Sequence, residues 1–426
     1  MLLTSPDGSA SSSALPDARS GAALAIPEQP ADIVAPPKAN PLRSMALIGA
    51  LLPRPCAVAA FGTELVRAIC SEFSALDCFG MALSDPASEY EYPPTVRYVL
   101  RVDDVSGYRR AAAFLAANAV DVVSLQYEHS VFGADPELKL LELLRGLPMP
   151  IVTTLHAVST NPGARQKQLI SEIIALSERV VVMSLQAATS LRAQYQLSEN
   201  KIDTIPYGVI APQDGRRDKR KLGFGGRVVL FTCGAFRSDN GMDALIDALP
   251  EIAQAIPNVL LIVLGEPDIH TKALPGESQR LVLEGRVHRL RMSGHVVFFD
   301  RFVGQYELPE LMSVADVYVS PFREPESSGP ATLAYALACG KVTVSTPDPH
   351  AQELLAEQRG VLLPSGDARV IARAVITLCM DDVGRQAIAS RAASYGATMF
   401  WPEVSRRYVD AFTRASQEFA CRVNGP

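Results

Sequence analysis

The run Pro321–Leu355, PFREPESSGPATLAYALACGKVTVSTPDPHAQELL, puts polar chemistry where a parallel sheet can use it. An acidic, turn-rich loop, Arg323-Glu324-Pro325-Glu326-Ser327-Ser328-Gly329-Pro330, follows a strand-like run, Ala315–Ser320, and opens into a helix of small residues, Ala331–Cys339. Gly340 stops that helix, and a second strand, Val342–Thr346, begins at once. A loop at the carboxyl end of a parallel strand, feeding a helix N-terminus, is where open α/β sheets hold anionic ligands, because unpaired N–H groups and the helix dipole converge there. A carboxylate such as Glu326, or a serine, would grip hydroxyls beside a phosphate. The same pattern also serves as a plain βαβ turn, and both readings stay open at this point.

The elements that must position this loop alternate short apolar strands with amphipathic helices from Ser44 onward. Strands are expected at Met45–Leu52, Val96–Val102, Val120–Leu125, Ile151–Leu155, Arg179–Met183 and Ile202–Ile205, with helices at Thr63–Phe73, Tyr108–Asn118, Pro136–Gly146, Arg165–Ser177 and Leu185–Tyr195. Unbroken Val/Ile runs, apolar on both faces, belong to a parallel sheet covered by helices. The polar, basic, glycine-rich stretch Ala211–Gly226 has the composition of a linker or exposed loop. The alternation then restarts with strands Val228–Cys233, Val259–Leu264 and Val296–Phe299, and helices Met242–Ala255, Leu281–Met292, Leu308–Ser313 and Ala368–Cys379. The expected fold class is α/β, with two Rossmann-like doubly wound domains facing across a cleft. The N-terminal domain is placed at residues 43–212 and the C-terminal domain at 213–395. A terminal segment, 396–426, carries a helix from Pro402 to about Ala420, led by Trp401, that is a candidate for crossing back to the first domain. Residues 1–42 are rich in Ser, Ala, Pro and Gly and are read as a disordered tail.

Composition narrows the function classes. The chain has 426 residues, 48% hydrophobic and 20% charged, enough to bury large cores. A formal net charge of −6 gives no support to nucleic acid as the main partner, since duplex binding wants a basic footprint. Seven cysteines, without a CxxC pair and several of them in apolar runs, read as buried free thiols in a reducing compartment. The apolar runs are too short for a bilayer, and the first residues lack a basic region followed by an apolar one, so a cytoplasmic protein is expected. Arg216, Arg217, Lys219, Arg220 and Lys221 form one basic cluster, read as a solvated linker, with a peripheral membrane-surface patch as the rival reading.

Taken in order, several segments resemble one family: VDVVSLQYEHSVFG (Val120–Gly133), IVTTLHAV (Ile151–Val158), RVVVMS (Arg179–Ser184), KIDTIPYGV (Lys201–Val209), FTCGAFRSDNG (Phe231–Gly241), VLLIVLG (Val259–Gly265), ADVYVSPFREPE (Ala315–Glu326) and TLAYALACGK (Thr332–Lys341). The chain resembles the retaining GT-B glycosyltransferases of family 4 from about Ser44 to Phe412. The resemblance implies a nucleotide-diphosphate sugar on the C-terminal domain as co-substrate and a saccharide or lipid-linked saccharide acceptor entering from the N-terminal domain. It implies transfer of a hexose with retention, in polysaccharide or glycolipid synthesis, with no divalent metal and no other cofactor. Leaving-group charge would be carried by helix N-termini and cationic side chains.

The resemblance also assigns residues. His156 stands in the position of the family's histidine that reaches the transferring sugar, against the alternative of a loop histidine with a capping role. Glu128, just beyond a strand, is placed by position and not by the resemblance: its carboxylate can accept from acceptor hydroxyls, against the alternative of a solvated loop residue. Tyr127 lies beside it on the acceptor side, with Ala57 in a turn where the family normally has glycine. Glu326 lies near the family's acidic donor-sugar residue. The family separates two glutamates by seven residues, whereas eight lie between Glu326 and Tyr335, the counterpart of the second. Gly234, Asn240, Gly265, Ser327, Ser328 and Thr332 are assigned to the donor. Ala235 and Asn240 replace the family's arginine and lysine on the diphosphate, and Arg237 is the candidate substitute, with Arg301 and Arg323 behind it. Pro330 removes one N–H from the phosphate nest. Because the departures gather at the phosphate site, a non-catalytic binding or scaffold protein is the rival from another class, and a sugar-nucleotide epimerase a third reading.

Overall fold

A computed structural model describes residues 42–86, 89–132, 136–159, 161–212, 219–234, 236, 240–265, 277–301, 303–321 and 331–424. Seven strands form the first sheet: β1 (Ser44–Gly49), β2 (Asp77–Ser84), β3 (Val96–Arg101), β4 (Val122–Tyr127), β5 (Ile151–Leu155), β6 (Arg179–Val182) and β7 (Ile202–Thr204). Their order is β3-β2-β1-β4-β5-β6-β7, every pair parallel. Central strands are buried throughout, as a sheet covered on both faces requires, and β4 and β5 bury the polar Ser124, Gln126, Thr153 and Thr154 among their apolar residues. The covering helices are α1 (Ala57–Glu72), α2 (Val105–Ala117), α3 (Pro136–Arg145), α4 (Ala164–Leu176) and α5 (Leu185–Tyr195).

The second sheet repeats the plan with β8 (Val228–Cys233), β9 (Val259–Gly265), β10 (Val296–Asp300), β11 (Val317–Ser320), β12 (Val342–Ser345) and β13 (Val361–Leu362), in the parallel order β10-β9-β8-β11-β12-β13. Its helices are α6 (Met242–Ala255), α7 (Glu277–Arg289), α8 (Glu307–Met312), α9 (Ala331–Ala338), α10 (Pro349–Leu354), α11 (Ala368–Met380) and α12 (Asp382–Gly396). In each sheet the strand order reverses once, at β1/β4 and at β8/β11. The crevice beyond the carboxyl ends of such a pair is where open sheets bind ligands.

The last helix, α13 (Trp401–Asn424), lies on the first sheet. Trp401, Val404, Tyr408, Ala411, Phe412 and Ala415 recur at helical spacing and pack with Phe61, Leu65 and Ile69 of α1 and Val122, Val152 and Val181 of the strands. Buried Arg179 anchors it, pairing with Asp203 at 2.6 Å and with Glu418 of α13 at 2.7 Å. The chain passes between the sheets twice, at Ile205–Ile210 and Ala397–Trp401. These passages run side by side: Val209 N–H donates to Met399 O (2.9 Å), and Trp401 N–H to Val209 O (3.2 Å).

Several element boundaries differ from expectation. The first helix begins at Ala57, not Thr63, because the Thr63 hydroxyl accepts the Leu52 N–H (2.9 Å) instead of capping its own helix. β2 carries Gly80, where a Cβ would lie 2.4 Å from a Leu51 methyl; the glycine that lets Leu51 pack also hides the strand. α12 escapes detection because it buries only Ala392 and Gly396. All seven cysteines are free thiols, yet only Cys78 is buried, Cys421 is exposed, and the rest are intermediate. Lys219, read as part of the basic cluster, is held by Asp316 at 2.5 Å; Arg216 and Arg217 lie outside the described residues. No described helix is long and apolar enough to cross a membrane.

Candidate active site

At the β8/β11 switch point, three strands end close together. Gly234 N–H donates to Leu264 O (3.0 Å), and a Cβ on Gly265 would lie 2.5 Å from the Gly234 carbonyl oxygen. Beyond them Gly241 adopts a left-handed conformation (φ 64°), with the Pro321 carbonyl oxygen 1.8 Å from where a Cβ would stand. Only glycine satisfies both the dihedral and the contact. Asn240, just before it, is buried at 8% exposure.

Gly234, Gly265, Cys233 and Thr332 line a cavity of about 240 Å³. Thr332 is the second residue of α9, and its hydroxyl accepts from the buried Tyr318 Oη at 2.8 Å. The Thr332 proton is therefore not used in that bond. Arg301 is the cationic side chain among the lining residues, and Glu307 grips it at 2.8 and 2.5 Å. Tyr335, expected from the resemblance at the place of a second glutamate, is 2% exposed and donates to Gln305 Oε1 at 3.2 Å. Burial holds its phenol well above the usual range.

The opposite wall comes from the first sheet's side: Ala57 and Ala60 on the first turn of α1, and Tyr207 from the passage between sheets. Ala57 thus faces Gly234, Gly265 and Thr332 across one cavity. Glu64, one turn farther along α1, is 6% exposed and accepts from Tyr306 Oη at 2.9 and 3.1 Å, while Arg67 lies 4.8 Å over the Tyr306 ring. Burial raises the Glu64 pKa. This carboxylate ties the helix of one sheet to the segment before α8 of the other. Sequence reasoning passed over it, although an acid embedded in the apolar run Ala57–Ile69 was the available signal.

His156 follows β5 at the carboxyl edge of the first sheet. Its Nε2 lies 2.9 Å from Gln126 Oε1, and its ring stands edge-on to Phe61, 5.0 Å between centroids. Phe61 in turn touches the cavity-lining Tyr207 at 5.1 Å. Burial lowers the His156 pKa to about 3, so the ring is neutral near pH 7. Glu128 is partly buried after β4, near Cys56; burial holds that thiol above its ordinary pKa, and the Glu128 charge pushes the same way. Tyr127 is 2% exposed and stacked on Phe132, inside the core of the first sheet. Glu326, Ser327, Ser328, Arg237, Arg323 and Ala235 lie outside the described residues.

Residues 227–381 match the family described as Glycosyl transferases group 1, and residues 66–211 match Glycosyltransferase Family 4. The chain is 25% identical over 320 residues to a phosphatidyl-myo-inositol mannosyltransferase of Mycolicibacterium smegmatis, covering 72% of this chain and 75% of that protein. It is 28% identical over 276 residues to the protein of the same name in Mycobacterium leprae, covering 63% and 68%. Among solved structures it superposes on a sucrose-phosphate synthase from Thermosynechococcus elongatus with a TM-score of 0.70 at 18% identity, over 87% of this chain and 98% of that one. Anabaena HepE in complex with UDP and glucose superposes with a TM-score of 0.66 at 17% identity, over 87% and 100%. These structures share the GT-B fold, two Rossmann-like parallel sheets.

Proposed function

Since this chain belongs to the family 4 glycosyltransferases, we propose that it moves a hexose from a nucleotide-diphosphate sugar to a saccharide or lipid-linked acceptor, with retention at the anomeric carbon. One observation carries the reading: Gly234, Gly265 and Thr332 from the second sheet and Ala57 and Tyr207 from the first side line one cavity. The glycines let backbone approach a diphosphate. The Thr332 hydroxyl and the first turn of α9 face it with donors, and Arg237 and Arg301 supply positive charge as the leaving group develops its own. His156 holds a hydroxyl of the transferring sugar, with Glu326 on the donor side, and Glu128 receives the acceptor. No divalent cation or other cofactor enters this scheme. The mannosyltransferase relatives, named for phosphatidyl-myo-inositol, support a lipid-linked acceptor met at the inner membrane face.

A binding protein with little turnover is the second reading. Its support is the buried Asn240 where the family has a cation, and Tyr335 turned onto Gln305 where it has a carboxylate.

Calorimetry against UDP, GDP, ADP and their glucose and mannose conjugates tests both. Micromolar binding of one nucleotide, unchanged by EDTA and weakened about tenfold in Thr332→Val, is expected, since one hydrogen bond to a charged group contributes about 1.5 kcal/mol. Arg237→Ala should weaken it as well. Binding followed by transfer supports the enzyme; binding without hydrolysis or transfer supports the second reading; no binding sinks both.

A further inference from the structure

Beneath His156 lies a polar network buried in the core of the first sheet. Gln126, on β4, is fully buried. Its Nε2 lies 2.9 Å from Ser124 Oγ and 3.2 Å from Thr154 Oγ1, and its Oε1 lies 2.9 Å from His156 Nε2. Thr154 continues the chain to Tyr408 Oη of α13 at 3.2 Å. Across the ladder, β1 ends in Gly49, where a Cβ would lie 2.8 Å from the Gln126 Cβ. The glycine is what leaves room for this glutamine at the β1/β4 switch point.

The amide has one orientation that satisfies all its groups. With Nε2 toward Ser124 and Thr154, its two protons meet two hydroxyl oxygens and its oxygen meets His156. With the amide reversed, two protons would face a single imidazole nitrogen, and one N–H would be left without an acceptor in a site closed to water, which costs about 1–3 kcal/mol. The oxygen therefore faces the ring, and the ring nitrogen facing it must carry the proton.

We propose that Gln126 is a positioning residue for the transfer: it holds His156 as the neutral Nε2–H tautomer and leaves Nδ1 as a hydrogen-bond acceptor for a hydroxyl of the transferring sugar. The step is one of orientation, and no proton leaves His156 during it. The role at the sugar rests on the function proposed above; the tautomer does not.

The test compares Gln126→Leu and Gln126→Glu with the parent chain. Side-chain nitrogen NMR of the sugar-free protein, with the His156 signal identified by its loss in His156→Gln, should show the proton on Nε2. Gln126→Leu should lose that single tautomer and lower kcat about tenfold to a hundredfold, with a smaller change in the donor KM. Gln126→Glu keeps the acceptor, and Ser124 and Thr154 can turn their own protons toward it. Its carboxylate also favours imidazolium, so the His156 pKa should rise and activity should recover as pH rises above that value. A packing role alone would leave Gln126→Glu inactive without pH dependence. The proposal is overturned if the parent carries its proton on Nδ1, if Gln126→Leu keeps the Nε2–H signal, or if kcat is unmoved when that signal is lost. An unaltered tautomer pattern with no transfer by the parent for any donor would remove the function and leave the tautomer assignment standing.

Discussion

His156 stands at a strand's carboxyl edge, and burial, which disfavours the imidazolium, lowers its pKa to about 3. At neutral pH it is a fixed dipole and neither an acid nor a charge. The same burial has a consequence for stability. The folded-state pKa lies below the unfolded value of about 6.5, so between these limits the unfolded chain binds a proton that the folded chain refuses, and stability falls as pH drops from about 6.5 toward 3. Urea unfolding at pH 7 and pH 5 should show a smaller loss in His156→Gln than in the parent; an equal loss would place the imidazole in water. His350 is shifted downward by burial too, so the slope shrinks without vanishing. The place of His156 was legible because Ile151–Leu155, rich in β-branched residues, reads as a strand and the histidine is the next residue. Gln126 was not legible as its partner. That pairing depends on β4 lying beside β5 and on the missing side chain at Gly49, and neither is a property of local spacing.

The glycines divide by what their elements ask of them. Gly241 precedes α6 with positive φ and lies against Pro321 O, so it locks the loop after β8 to the carboxyl end of β11. Gly241→Ala should destabilise by about 2–4 kcal/mol, combining left-handed strain with a backbone clash. Gly285 lies inside α7 with nothing within 4 Å of its missing Cβ, and Gly285→Ala should stabilise by about 0.5–1 kcal/mol. Chemical denaturation of the two variants checks the contrast; equal effects would mean that the close approach at Pro321 does not exist in solution. At this scale the sequence was readable wherever pattern and packing agreed, as in β5, α5, β8 and α6, whose expected limits match. It was unreadable where a residue answered to a distant neighbour. Thr63 looks like a helix start but serves Leu52, and Gly80 breaks a strand pattern to admit Leu51.

At the largest scale the described residues form two parallel sheets joined by paired passages, and the chain's single tryptophan sits where those passages meet. The Trp401 ring covers Gly208 so closely that a Cβ there would come within 2.5 Å of it, and it packs 5.1 Å from Phe61. Two side-chain links join the halves on other elements: Tyr306 to Glu64 of α1, and the Glu353 carboxylate to the N–H groups of Leu185 (3.0 Å) and Gln186 (3.3 Å) at the start of α5. The repeated strand–helix alternation announced both sheets. These cross-links were hidden, because each joins residues more than 160 positions apart. A donor held between Gly234 and Ala57 touches both halves, so its binding should draw them together and exclude water from the transferring sugar. Any such rotation bends the passages at Val209 and Phe400 and changes what surrounds the indole. Titration with the nucleotide sugar that binds should therefore change the tryptophan emission with the midpoint seen by calorimetry. Trp401→Phe should bind with no optical signal. Saturated binding with an unchanged emission spectrum would mean that the halves already stand in the donor-binding arrangement, and that hinge motion contributes nothing to water exclusion.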